Sequence, residues 1–173
     1  GSGGGTTADA VEAVRYATAG GVTLTSNSWG GGGYSQTLKD AIDEAAAAGI
    51  LFVAAAGNDS SNTDLSPSYP ACYDSANIIS VAASDHNDTL ASFTNYGAVT
   101  VDLAAPGVGI YSTSPGSSYR SLNGTSMACP HVAGSCALIK AARPAMNWQE
   151  IKSALLDNVD GVTVSAAIRE RWK

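Results

Sequence analysis

Two rhythms of apolar residues alternate along the chain. Residues 7–19 carry Ala10, Val11, Val14 and Ala17 at the spacing of one helical face, with Thr7 as the expected cap, and 22–27 then reads as a strand. Ser35 is predicted to cap a second helix in which Leu38, Ala41, Ile42 and Ala45 form one stripe, ended by Gly49. The run Ile50–Ala56, "ILFVAAA", has no polar alternation, the pattern of a strand buried on both faces. A polar stretch, 57–76, is long for a loop in a compact domain, a length that goes with function. Strands are expected at 77–83 and 99–104, followed by a turn-rich region and a helix from Met127 to Ala142 that tolerates Pro130 only because it lies near the beginning. A last helix opens at Asn147, with Glu150 completing a capping box, and the terminal "AAIRERWK" could extend a helix.

Strands alternating with helices predict an α/β fold: three layers, a mainly parallel sheet, and helices on both faces. With 45% hydrophobic residues and no internal repeat or linker, residues 1–173 are read as one domain with a sizeable core. Composition narrows the partners. The net charge is -6 and no basic run could track a phosphate backbone, so nucleic acid is not expected. No apolar run approaches the ~18 residues of a membrane span, and the start lacks the basic and apolar regions of a signal peptide. Cys72, Cys129 and Cys136 are an odd set, and the last two sit ~10 Å apart along one helix, too far for a disulfide.

Three glycine-marked segments adjoin predicted strands, where α/β sheets tend to place ligands: "NSWGGGG" at 27–33, "AAAGN" at 54–58 and "NGTSMA" at 123–128. Together they offer what acyl transfer needs. Ser126 at a helix start supplies a hydroxyl and its own N–H, Asn58 at the end of a buried strand supplies a rigidly placed amide, and Ser28, Trp29 and Gly30 could present an edge for an extended peptide. His131 is not the base for Ser126: five residues advance a helix by roughly 500°, about 140° around the axis, so it points away and reads as a packed helix histidine. His86, in "SDHND", reads as a surface-turn residue.

The blocks "NSWGG", "FVAAAGN", "SYPACY", "LASFTNYG", "LAAPGVGIYST" and "NGTSMACPHVAG" resemble, in order and spacing over about 25–160, successive blocks of the subtilisin-like serine proteases. The resemblance implies that Ser126 is the nucleophile and Asn58 the oxyanion-hole side chain. It makes Ser28, Trp29 and Gly30 one wall of the substrate cleft, and Ala55, Ala56 and Gly57 with Ser68 parts of the pocket for the residue before the scissile bond. It also implies an extracellular protein, a peptide or protein substrate, no cofactor required for the chemistry, and calcium as a possible structural ion, with 71–78 or Asp85 contributing. Asp59, beside Asn58, would favour basic or polar substrate side chains at the pocket rim or else is a solvated loop carboxylate.

The chain departs from the family where the family's order is Asp, His, Ser. The two upstream blocks are absent, and neither histidine stands in a matching context. The expectation is therefore the carboxyl-terminal part of a catalytic domain whose Asp and His belong to an upstream segment, the chain alone being inactive. Apolar sheet surface such as Leu51–Val53 should then lack cover and drive self-association or binding of the missing part. The competing readings are a non-catalytic fragment that binds peptides or a partner chain, and an α/β-hydrolase esterase. The latter needs an acid and then a histidine after the serine, and His131 precedes Asp157 and Asp160.

Overall fold

In the computed structural model, which describes residues 4–160, four parallel strands form the centre: β1 (Leu24–Asn27), β2 (Leu51–Ala55), β3 (Ile78–Ser84) and β4 (Leu103–Pro106), in the order β1-β2-β3-β4. Helices α1 (Thr7–Ala19) and α2 (Gln36–Ala47) cover one face, and α3 (Thr125–Ala142) and α4 (Trp148–Leu156) cover the other. Alternation along β2 assigns its side chains to the two layers. Phe52 and Ala54 pack with Val11, Val14, Leu38 and Ile42, while Leu51 and Val53 pack with Cys129, Val132, Cys136 and Ile151. Each fully buried Leu, Ile or Phe contributes roughly 1.5–3 kcal/mol by leaving water, so these two clusters hold the three layers together.

The predicted exposure of Leu51–Val53 is overturned: all three are 0% exposed, because α1 and α2 cover one face of β2 and α3 and α4 the other. Among the described residues the edge strands of the sheet are β1 and β4 instead. An uncovered stripe of α3 runs through His131, Gly134, Ser135 and Leu138. His131 is therefore exposed rather than packed, its Nδ1 lying 2.8 Å from the Met127 carbonyl.

Local chemistry moved other expectations. The cap of α1 is Thr6, not Thr7, because Asp9 three residues on closes a capping box with it. The strand expected at 99–104 begins only at Leu103, since the N–H groups of Ala98, Val99 and Thr100 are taken by the Asp64 carboxylate and cannot join a ladder. The turn-rich region holds an antiparallel hairpin, β5 (Ile110–Ser114) with β6 (Ser118–Leu122). Its strands are mostly exposed, so they carry no apolar alternation that would have revealed them. Helix α3 starts two residues before Met127. The "AAIRERWK" segment lies outside the described residues.

Candidate active site

Strand β2 ends at Ala55, and the chain turns sharply through Gly57, whose φ of +108° only glycine adopts at low cost. The turn brings Asn58 beside the start of α3. Oδ1 of Asn58 accepts from both the N–H (2.9 Å) and the hydroxyl (3.1 Å) of Thr125, and the same hydroxyl accepts from the Gly57 N–H (3.2 Å). Because an N–H can only donate, the end of the Asn58 amide facing Thr125 must be the oxygen. Nδ2 is left without a partner among the described residues, at the cleft that Asn58 lines together with Ser126.

Ser126 lies in the first turn of α3, half-buried. Pro130 has no N–H, so the carbonyl of Ser126, four residues earlier, has no helical donor. The Ser28 hydroxyl fills that place at 2.9 Å, while the Ser126 hydroxyl donates to the Ser28 carbonyl at 3.3 Å. This reciprocal pair fastens the end of β1 to the head of α3. Neither histidine bonds to Ser126: His131 faces its own helix, and His86 is exposed in the turn after β3.

The open cleft between these elements has a volume of about 230 Å³. Ser28, Trp29 and Gly30 form one wall, Ala55, Gly57 and Ser68 another, with Asn58, Asp59 and Ser126 at the mouth. Gly30 is needed for closeness, since a β-carbon there would lie 3.0 Å from the Tyr69 carbonyl oxygen. Trp29, 38% exposed, is held edge-on against Phe52 with ring centres 6.3 Å apart. One expected wall residue is corrected: Ala56 is wholly buried, its N–H donating to Val81 and its carbonyl taken by Asn95, so it supports the wall without lining it.

Asn95 was missed by sequence reasoning. The block "LASFTNYG" marks its neighbourhood, but nothing in the spacing says that a residue 37 positions after Asn58 braces the Asn58 turn. Burial pushes up the thiol of Cys72, and that of Cys136 to about 11, so neither is poised as a nucleophile. Among the described residues no group of three or more His, Cys, Asp or Glu could hold a metal ion. At the expected calcium positions, Asp85 Oδ1 accepts from the N–H groups of Asn87 and Thr89, and the Ser75 hydroxyl donates to Asp43. Among the described residues no helix is long and apolar enough to cross a membrane.

A parallel three-layer α/β fold with a helix-borne serine and an asparagine amide at an open cleft by the strand ends is the arrangement of a subtilisin-like proteinase. The peptidase S8 subtilase family matches residues 1–169, and the chain belongs to that family. It is 46% identical to subtilisin DY of Bacillus licheniformis over 155 residues, covering 89% of this chain and 56% of that protein. It is 44% identical to thermitase of Thermoactinomyces vulgaris over 163 residues, 94% of this chain and 55% of the relative. A solved cold adapted subtilisin-like serine proteinase superposes with a TM-score of 0.86 at 31% identity, covering 95% of this chain and 59% of the other. The chain thus spans about half the length of the curated relatives it matches.

Proposed function

We propose that this chain is the serine-bearing part of a secreted subtilisin-like serine endopeptidase that hydrolyses peptide bonds through an acyl-enzyme on Ser126. The observation that carries the reading is the pinned amide of Asn58, with Nδ2 free at the cleft that Ser126 shares. An extended peptide lies along Ser28–Gly30, its side chain before the scissile bond enters the pocket by Ala55, Gly57 and Ser68, and Asp59 at the rim favours basic or polar side chains. Ser126 Oγ attacks the carbonyl carbon, and the charge that develops on the oxygen is met by Asn58 Nδ2 and the Ser126 N–H. The amine leaves with a proton, and water then releases the acid and regenerates the hydroxyl. No cofactor enters these steps. Calcium, if bound, is structural.

The base and its orienting acid come, in this proposal, from an upstream segment that docks on the open edge of β1 and the uncovered stripe of α3. The present partner of the Ser126 hydroxyl, a carbonyl, cannot take its proton, which supports the second reading for the chain alone: a peptide- or partner-binding piece without turnover. The test is labelling by a fluorophosphonate. The chain by itself should label negligibly, and adding the family's upstream segment should restore labelling that Ser126→Ala abolishes. Vigorous labelling of the lone chain would overturn the missing-base account, and none in the complemented form would overturn the protease reading.

A further inference from the structure

The turn that carries Asn58 is held from one side by Thr125 and from the other by Asn95. Asn95 sits in the turn after Phe93, 1% exposed, and its side chain and N–H are spent on residues 56–61. Its Nδ2 donates to the Ala56 carbonyl (2.9 Å), and its Oδ1 accepts from the N–H groups of Asp59 (2.9 Å) and Ser61 (3.1 Å). Its backbone N–H donates to the Gly57 carbonyl (2.9 Å). Both residues flanking Asn58 are thereby tied to Asn95. The fit is close enough that a β-carbon on Gly57 would lie 2.3 Å from Asn95 Nδ2.

The geometry points to Asn95 as a positioning residue that sets the aim of the Asn58 side-chain amide. This rests on the reading of Asn58 as the oxyanion donor, and it adds how that donor is kept still. A donor aimed at a developing charge is useful only if it does not reorganise during the reaction. Thr125 alone cannot ensure that, because it grips the Asn58 oxygen and the Gly57 N–H but nothing after Asn58, leaving the backbone at Asp59 free to swing. Asn95 removes that freedom. A carboxamide is required, since the site asks for one donor and one double acceptor at the same time.

The test uses the whole chain and nuclear magnetic resonance, so it does not depend on turnover. In Asn95→Ala, amide exchange at Asp59 and Ser61 should accelerate roughly tenfold to a hundredfold, the scale of losing one buried hydrogen bond. The split side-chain amide signals of Asn58 should move toward those of a free asparagine, while Phe52 and Ile78 in the strands stay protected. If Asp59 and Ser61 lose protection but the Asn58 side-chain signals do not move, Asn95 merely ties its own loop and the proposal fails. Should Asn95→Ala not fold, Asn95→Asp decides: it keeps both acceptor contacts until the introduced carboxyl is protonated. The signals of Asp59, Ser61 and the Asn58 side chain should then titrate on one curve. Asn58 side-chain signals that stay flat across that titration overturn the inference. If instead Asn58 responds as expected but Asn58→Leu leaves turnover of the complemented enzyme untouched, it is the oxyanion reading that fails and not the positioning.

Discussion

The hydroxyl of Ser28 donates to the carbonyl of Ser126 at 2.9 Å, the carbonyl that Pro130 leaves without a helical donor. A proline in the second turn of a helix would otherwise leave a carbonyl without a donor at the cleft. Ser28, the first residue of the cleft wall, resolves this, and in doing so it ties that wall to the candidate nucleophile.

Ser28→Ala should therefore loosen the site more than the fold. The pair is exposed, so water can replace the lost donor in part, and global stability should fall by no more than about 1 kcal/mol. Urea unfolding measures the stability, and exchange at the Ser126 and Met127 amides measures the loosening. A loss of several kcal/mol would mean that the contact holds the layers together and not only the site.

Asn58→Leu in the complemented enzyme should keep the fold and KM while lowering kcat. On the proposed reading the amide meets a charge present only during attack, so its loss should appear in the transition state and not in binding. The size, about 10² to 10³, is borrowed from removal of the oxyanion asparagine in subtilisin itself. Steady-state kinetics checks it: an unchanged kcat with a raised KM would make Asn58 a binding residue.

Asp64 should give the fold an acid-sensitive loop. Partial burial works to raise its carboxyl, but the Thr100 hydroxyl and the N–H groups of Thr100, Ala98 and Val99 outweigh this and hold it below the usual carboxylate range. A folded-state pKa below the unfolded one contributes stability that is fully present above about pH 4 and lost as the pH falls through the folded value. Asp64→Asn should then lower Tm at pH 7 by a few degrees, with the difference from the parent chain shrinking below about pH 4. A difference that persists well below the folded value would show that shape, and not charge, is what Asp64 provides.

Leu138 is 73% exposed on the uncovered stripe of α3. Leu138→Asp should leave the Tm of the lone chain nearly unchanged, because nothing is unpacked, yet weaken self-association or capture of the upstream segment at least tenfold. Sedimentation and titration calorimetry give the two numbers. An association unaffected by the charge would place the partner elsewhere.

The periodicities were enough to find the layers. The stripe Leu38, Ala41, Ile42 and Ala45 and the unbroken run through Leu51, Phe52 and Val53 record which faces are apolar, a local pattern, although the cover over Leu51 and Val53 comes from α3 and α4 far along the chain. The family blocks likewise placed Ser126, Asn58 and the Ser28–Gly30 wall, and the structure brings those positions to one cleft.

What only the tertiary structure decided are the pairings across the chain. Nothing near Asp64 in sequence announces that it will consume the N–H groups of Ala98–Thr100 and delay β4, and nothing near His131 announces that its side of α3 is uncovered. The grip of Asn95 on the turn after β2 and of Ser28 on the Ser126 carbonyl are of the same kind. A hydrogen bond between residues tens of positions apart has no period and no local propensity. It exists only once burial of the apolar faces has set the loops side by side, and the aim of the site depends on those bonds.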